Sequence, residues 1–254
     1  NSLGDHFGVG HIFLAGEAPG LFYGYVTQGI VQKEDITENG IKYIKQDGSV
    51  GYYQTVNKTT PVAGDVKYVD RNGDGVVDDN DRDIIGNPNP DFTYGFQTKV
   101  SWKSLSLSAS FNGVQGRDIL NVGNRYNNTP GTKSNNVTRK AFQNMWTDEN
   151  PSNLYPKSTF VVQNMVMDRY VEDGSYLRCS DITLSYVLPA KWTNKIGIKN
   201  TSVYASVKNA FVITDYSGYD PEVNSFAFDG LRPGVDMNSY PTPRSFVFGL
   251  NLTF

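Results

Sequence analysis

The sequence predicts an all-β protein: about six strands of a large antiparallel transmembrane β-barrel, with long extracellular loops and one short loop helix. Three observations predict it. Apolar and polar side chains alternate with period 2 over runs of about ten residues, which gives each run one apolar face and one polar or small face. Joins between the runs are alternately short and long, as where periplasmic turns and external loops connect barrel strands. Aromatic residues make up 13% of the chain although the mean hydropathy is −0.44, the balance expected of strands exposed on one side.

The elements follow in order. A weak alternation over 5–14 opens the chain. Over 92–102 the apolar parity holds Phe92, Tyr94, Phe96, Val100 and Trp102, interrupted by Thr98, against Thr93, Gly95, Gln97, Lys99 and Ser101. A two-residue turn, Lys103-Ser104, leads into 105–112, where Leu105, Leu107, Ala109 and Phe111 oppose Ser106, Ser108 and Ser110. The strand over 175–188 sets Ile182, Leu184, Tyr186 and Leu188 against Thr183 and Ser185. The one over 201–211 sets Val203, Ala205 and Val207 against Tyr204, Ser206 and Lys208. The clearest alternation closes the chain over 244–254, with Phe246, Phe248, Leu250, Leu252 and Phe254 on one parity. Between these lie loops over 15–91, 112–174 and 212–243. A helix is expected within Asn136–Trp146, where Val137, Ala141, Phe142 and Met145 recur at helical spacing before Pro151; Trp146 reads as a packing residue. Ten strand residues rise about 33 Å, and a tilt near 40° leaves about 25 Å along the normal, the height of a barrel's apolar band. A soluble sandwich, with strands of about five or six residues, is the alternative.

Composition removes several function classes. With 23 basic and 26 acidic residues, a net charge of −3 and no basic block, nucleic acid is not an expected partner. Cys179 is the single cysteine, so no disulfide within the chain and no cysteine-based zinc site can form. Residues Asn1 to Gly10 show neither the basic start nor the apolar stretch of a signal peptide, and no apolar run nears the roughly 18 residues of a helical span. His6 and His11 lack H-E-x-x-H spacing and no G-x-S-x-G elbow occurs, so the chain is not expected to be an enzyme.

Two loop features could carry function. Asp70, Asn72, Asp74, the Val76 carbonyl, Asp78 and Asp81, with Gly75 at position 6, reproduce the spacing of an EF-hand-type calcium loop, although Asp81 replaces the usual longer Glu. A metal-free Asp/Asn/Gly turn cluster fits the same residues. Aromatic groups crowd the loops; Tyr52, Tyr53, Tyr216, Tyr219, Phe226 and Phe228 are candidates to contact a substrate or partner, while loops of this size also need apolar anchors of their own. Two rival readings use these features. A secreted β-rich calcium- or carbohydrate-binding module would explain them without a membrane, and a β-rich hydrolase could draw on Asp215, Asp220 and Glu222.

Several stretches together resemble the C-terminal part of SusC/RagA-family TonB-dependent outer-membrane transporters: 16–30 (GEAPGLFYGYVTQGI), 64–75 (GDVKYVDRNGDG), 85–96 (IGNPNPDFTYGF), 145–151 (MWTDENP), 175–178 (SYLR), 182–186 (ITLSY) and the closing aromatic strand. The resemblance implies a plugged barrel of about 22 strands, of which this chain supplies the last six. It implies nutrient import of glycan or peptide across a bacterial outer membrane, with a SusD-like surface lipoprotein as lid and TonB engaging a plug domain. The plug and earlier strands are not in this sequence, so the chain is expected to need the remainder of the barrel, with outer-membrane lipid around it. The resemblance also makes Phe246, Phe248, Leu250, Leu252 and Phe254 the signal read by the barrel-assembly machinery.

Overall fold

The structure, a computed structural model, describes residues 2–3, 10–129, 136–158, 165–193, 198 and 200–253. The chain divides into two units, one of 90–117, 173–222 and 240–254 and one of 1–89, 118–172 and 223–239.

The first unit is an antiparallel meander of five strands, each bonded to its sequence neighbour: β1 (Phe92–Trp102), β2 (Leu105–Gln115), β3 (Tyr176–Val187), β4 (Asn200–Thr214) and β5 (Ser245–Thr253). Register turns the alternation in sequence into continuous rows. One row runs Trp102–Leu105–Tyr186–Val203–Leu250, and the next runs Val100–Leu107–Leu184–Ala205–Phe248. Further rows hold Ile182, Val207 and Phe246, then Phe96, Phe111 and Phe211, whose first two rings stack at 4.5 Å. The other face carries Ser101–Ser106–Ser185–Tyr204 and Lys99–Ser108–Thr183–Ser206. Within this unit the apolar face is uncovered, with Phe248 79% and Trp102 68% exposed. A soluble monomer rarely shows a contiguous apolar patch above a few hundred Å². Eleven residues rise about 36 Å, enough to cross an apolar band of about 25 Å when tilted.

The alternation slips once. Ser110 faces Asp181 and Phe111 faces Cys179, so Ser180 is extra on β3; opposite that step β4 places Asn209 and Ala210 between Lys208 and Phe211. Asn209 takes the left-handed conformation at φ 51°, which asparagine tolerates better than most side chains. The Ser180 hydroxyl donates to the Ser110 carbonyl at 3.1 Å. Because the parity flips there, Cys179 and Ile182 share the apolar face although they are three positions apart in sequence.

Two expectations are corrected. The strand expected over 5–14 lies outside the described residues at 5–9, and its described part is a two-residue strand, His11–Ile12, that pairs with Leu21–Tyr25 in the second unit and not with β1. The described long sheet therefore has five strands, not six. The stretch 15–91 is also no plain loop, because Leu21–Tyr25, Gly40–Ile44, Val50–Tyr53, Val66–Tyr68 and Arg82–Gly86 are all strands. Residues 130–135 and 159–164 of the expected 112–174 loop, parts of the 189–200 join, His6 and Phe254 lie outside the described residues.

The second unit packs those short strands around a tyrosine-rich core. Tyr25, Tyr43, Tyr53 and Tyr68 are fully buried beside Phe22, Ile30, Val31 and Val77. Their hydroxyls are occupied: Tyr43 donates to the Asp70 carbonyl at 2.7 Å, Tyr25 donates to Asp79 Oδ1 at 3.1 Å, and Tyr53 accepts from the Tyr68 N–H at 3.2 Å. Buried phenols need such partners. Helix α1 (Val122–Asn128) starts where the Asn121 side chain accepts from the Asn124 N–H, and α2 (Arg139–Asn144) where Thr138 accepts from the Ala141 N–H. The expected helix over 136–146 is thus shorter, and α1 was not expected because its polar sequence, VGNRYNN, shows no apolar stripe. Trp146 packs as expected: it is buried, its Nε1–H donates to Gln32 Oε1 at 3.0 Å, and Gly64 leaves room for its ring.

A tyrosine ring covers a cross-strand glycine in three places, Tyr94 over Gly113, Tyr204 over Gly249 and Tyr43 over Gly51. A Cβ at these glycines would lie 2.3, 2.2 and 2.3 Å from the ring. The ring fills the groove that a glycine leaves in a strand. Gly51→Val is expected to expel the Tyr43 ring from the core and destabilise the fold by about 2 kcal/mol, the scale of core overpacking. Denaturant unfolding of the variant monitored by tyrosine fluorescence measures this, and unchanged stability would refute the packing argument.

Candidate functional site

Three groups of polar or aromatic residues could act on a ligand: the 70–81 loop, the loop aromatics and a charge cluster on the long sheet. In the second unit, the 70–81 loop folds around its own carboxylates. Asp70 Oδ1 and Oδ2 accept from the Gly73 and Gly75 N–H groups at 2.6 and 2.9 Å. Asn72 accepts from the Asp74 N–H, Asp74 from Val76 and Asp78 from Asn80, at 2.8 to 2.9 Å. Asp81, fully buried, accepts from Arg71 at 2.7 Å, Asn72 at 3.2 Å and Asp78 at 2.8 Å. Gly73 and Gly75 have φ of 76° and 85°, so the tight turn needs residues without a Cβ. Burial lifts the Asp70 pKa, and the Asp81 and Asp74 charges add to that against the two glycine N–H groups. Burial together with the charges of Asp70 and Asp81 pushes the Tyr43 phenol up to about 12.

The calcium-type spacing thus appears in the structure as a chain of side-chain-to-backbone turns. Among the described residues no three acidic, His or Cys side chains are arranged to hold a metal ion. Asp78 and Asp81 accept from backbone donors of the loop.

The aromatic candidates separate by burial. Tyr53, Tyr216 and Phe226 are buried, which corrects their expected role as ligand contacts; Tyr53 and Phe226 supply apolar surface to the core of the second unit. Tyr52, Tyr219 and Phe228 are exposed, Phe228 at 84%. They are the ones free to meet a substrate or partner.

In the first unit, the polar face of the sheet carries a charge cluster that sequence reading missed. Asn112 and Arg178 are cross-strand neighbours on β2 and β3. The buried Arg178 donates through Nη2 to Asp220 Oδ1 at 2.5 Å, and its Nε lies 3.2 Å from Glu222 Oε2. Glu222 Oε1 also accepts from the Tyr176 hydroxyl at 2.7 Å and from Asn112 Nδ2 at 3.0 Å. Asp220 accepts the Glu222 N–H at 2.9 Å. Burial pushes the Asp220 pKa up, but the Thr242 hydroxyl, the Glu222 N–H and Arg178 together outweigh it and hold the carboxyl below its usual range. Asp220 and Glu222 are consumed in anchoring the 215–222 segment, and Asp215 is exposed apart from them. The three do not form a paired acid and base. The signal that could have found the cluster is an arginine at a polar-face strand position two residues after an aromatic, followed downstream by an Asp-Pro-Glu triplet.

No family model matches the chain. Among curated proteins, it is 35% identical over 201 residues to a TonB-dependent receptor of Formosa agariphila, covering 76% of this chain and 20% of that protein. A second receptor of that organism is 33% identical over 248 residues, covering 96% and 23%. The TonB-dependent receptor SusC of Bacteroides thetaiotaomicron is 34% identical over 194 residues, covering 74% and 17%. The chain therefore spans about a fifth of the length of the curated relatives it matches. The fold matches solved structures of the RagAB peptide transporter, with a TM-score of 0.64 at 24% identity over 93% of this chain and 23% of that one. For RagAB in its closed-closed state the TM-score is 0.63 at 25% identity, over 96% and 25%.

Two outcomes are expected. Asp81→Ala strands three backbone N–H groups and should cost about 3 kcal/mol, while a chelator leaves the melting temperature of the unsubstituted protein unchanged; a rise on adding Ca²⁺ would show instead that the loop rearranges into a ligand set. Because the folded pKa of Asp220 is depressed, its contribution is present above the unfolded value of about 3.9 and is lost as pH falls through the folded one. Acid unfolding followed by circular dichroism should lose part of its pH dependence below about 4 in Asp220→Asn.

Proposed function

Because the chain belongs, as a segment, to the TonB-dependent receptors of the SusC type, we propose that it forms part of the wall and external loops of an active importer in the bacterial outer membrane. One observation carries this reading: the five-strand sheet presents rows of large apolar side chains on an uncovered face, which lipid covers directly and a soluble module would have to bury under a second sheet. The remaining strands close the barrel against β1 and β5, a plug domain fills it, and a SusD-like surface lipoprotein lids it. TonB, engaging the plug, couples inner-membrane energy to opening. Bound substrate shifts the receptor toward the state that TonB engages.

The cargo is an oligomeric nutrient, glycan or peptide. The RagAB structures are of a peptide transporter, which supports peptide, and the name SusC specifies no cargo. The named relatives are receptors, and in this chain Asp220 and Glu222 are structural ligands of Arg178, so no catalytic step is assigned. Calcium has no part in the proposal, since it rests on spacing alone.

Fractionation of source cells followed by mild-detergent extraction tests this reading. The chain should be recovered from the outer membrane in a particle far heavier than 28.2 kDa that also contains a lipoprotein. A detergent-free monomer of that mass would overturn it and favour a secreted binding module.

A further inference from the structure

The two ends of the long sheet differ in charge. The acidic residues of the first unit are Asp91, Asp173, Asp181, Asp215, Asp220 and Glu222. Asp181 sits at the mid-sheet step beside Ser110 and Lys208, and the other five flank the strands at their long-loop end. The stretches 92–117, 182–214 and 240–254 contain no Asp or Glu, so the short-turn end has no carboxylate side chain. It has Lys103 in the β1–β2 turn and Lys191 in the join between β3 and β4; Lys195 and Lys199 of that join lie outside the described residues. Neither Lys103 nor Lys191 has an ion pair among the described residues.

The charge at this end stands on the apolar side of the sheet. Trp102 closes the apolar parity of β1 and begins the row through Leu105, Tyr186 and Val203. Lys103, at φ 53°, turns back over it, with Nζ 4.8 Å from the Trp102 ring centre. The ammonium therefore sits at the rim of the apolar face and away from the serine-rich one. The β3–β4 join is tied to the same turn, because the Val187 N–H donates to the Ser104 carbonyl at 2.9 Å. Just beyond it a one-turn helix, Ala190–Thr193, carries Lys191 and Trp192, both exposed, the indole at 59%. The Trp192 N–H donates to the Pro189 carbonyl at 2.9 Å, which fixes this helix to the end of the strand. One rim thus holds two adjacent tryptophan–lysine pairs, Trp102 with Lys103 and Trp192 with Lys191.

We propose that this short-turn rim selects anionic glycerophospholipid, Lys103 and Lys191 meeting the headgroup phosphate while Trp102 and Trp192 mark the boundary between headgroups and acyl chains. An indole has an apolar body and one N–H, so it is best placed where hydrocarbon meets a wet layer. A lysine stem lies along apolar surface and carries its charge outward into that layer. With no carboxylate at this end, the matching anion has to come from outside the chain. The source is a lipid and not free phosphate, because the rim continues into the rows of Leu105, Tyr186 and Val203, along which acyl chains can lie. The inference rests on the outer-membrane reading above and deepens it, naming the lipid class that the short-turn end of the wall recognises.

Photo-crosslinking of the intact receptor complex tests it. The complex is reconstituted in phosphatidylcholine vesicles that contain a small fraction of photoactivatable phosphatidylglycerol or, in parallel, photoactivatable phosphatidylcholine, and labelled peptides are mapped by mass spectrometry. Phosphatidylglycerol should label the peptides holding Trp102–Ser104 and Ala190–Trp192 about fivefold more than phosphatidylcholine, the scale of one basic residue at an anionic surface. That excess should shrink as salt rises. Lys103→Asn combined with Lys191→Gln should remove it, and Lys103→Arg combined with Lys191→Arg should keep it. Both positions are exposed, and Asn tolerates the positive φ of Lys103, so these variants fold. Equal labelling by the two lipids, no labelling of these peptides by either, or an excess that survives Lys103→Asn with Lys191→Gln would each overturn the proposal. Labelling of the 244–253 strand, which holds Phe246, Phe248 and Leu250, reads the membrane separately. If that strand is labelled, only the headgroup assignment fails; if neither lipid labels it, the outer-membrane reading fails as well.

Discussion

In hydrocarbon a backbone N–H or C=O has no water to turn to, so every such group must find a partner in the protein. The five long strands meet that constraint through continuous antiparallel pairing from Phe92 to Thr253, and the composition of each strand follows from it. Once the ladder is fixed, side chains can only alternate, and one face of the alternation collects the large apolar side chains. The serine-rich opposite face, Ser101 to Ser106 to Ser185, then suits a polar interior. The outer edges of β1 and β5 are the places where the same demand is passed to neighbouring strands.

The loop unit solves a different problem with a related device. Its strands are too short to bury aliphatic rows, so tyrosines supply area from their rings and tie their hydroxyls to backbone and carboxylate groups. The Tyr43 ring over Gly51 and the Tyr204 ring over Gly249 show one packing rule at work in both units. The carboxylates of Asp70 and Asp81 play the matching part on the polar side, gathering five backbone N–H groups that the turn would leave unpaired.

How much was legible in the sequence depended on periodicity. Residues 92–102 hold one parity apart from Thr98, and their strand is found at those bounds. At 175–188 the alternation is readable only after Asp181, since the extra Ser180 reverses the parity. The short strands of 15–91 were hidden because four or five residues are too few for a period to declare itself; Ile41 and Tyr43 against Lys42 is the whole signal. The candidate sites were less legible still. The spacing of Asp70 to Asp81 serves a metal loop and a set of backbone turns equally well, so sequence does not distinguish them. Arg178 is far in sequence from Asp220 and Glu222, and the Asp-Pro-Glu triplet does not by itself point to its partner.

The step at Ser180 and Asn209 has a further consequence. Across it two residues of β2 stand beside three of β3 and four of β4, and β5 ends its pairing at that level. Rows on the turn side join five strands, whereas rows on the loop side join four. The register above the step is thus offset from the register below it by one residue on β3 and two on β4, so the loop-side ends of the strands form rows of their own while the Trp102 and Val100 rows keep theirs.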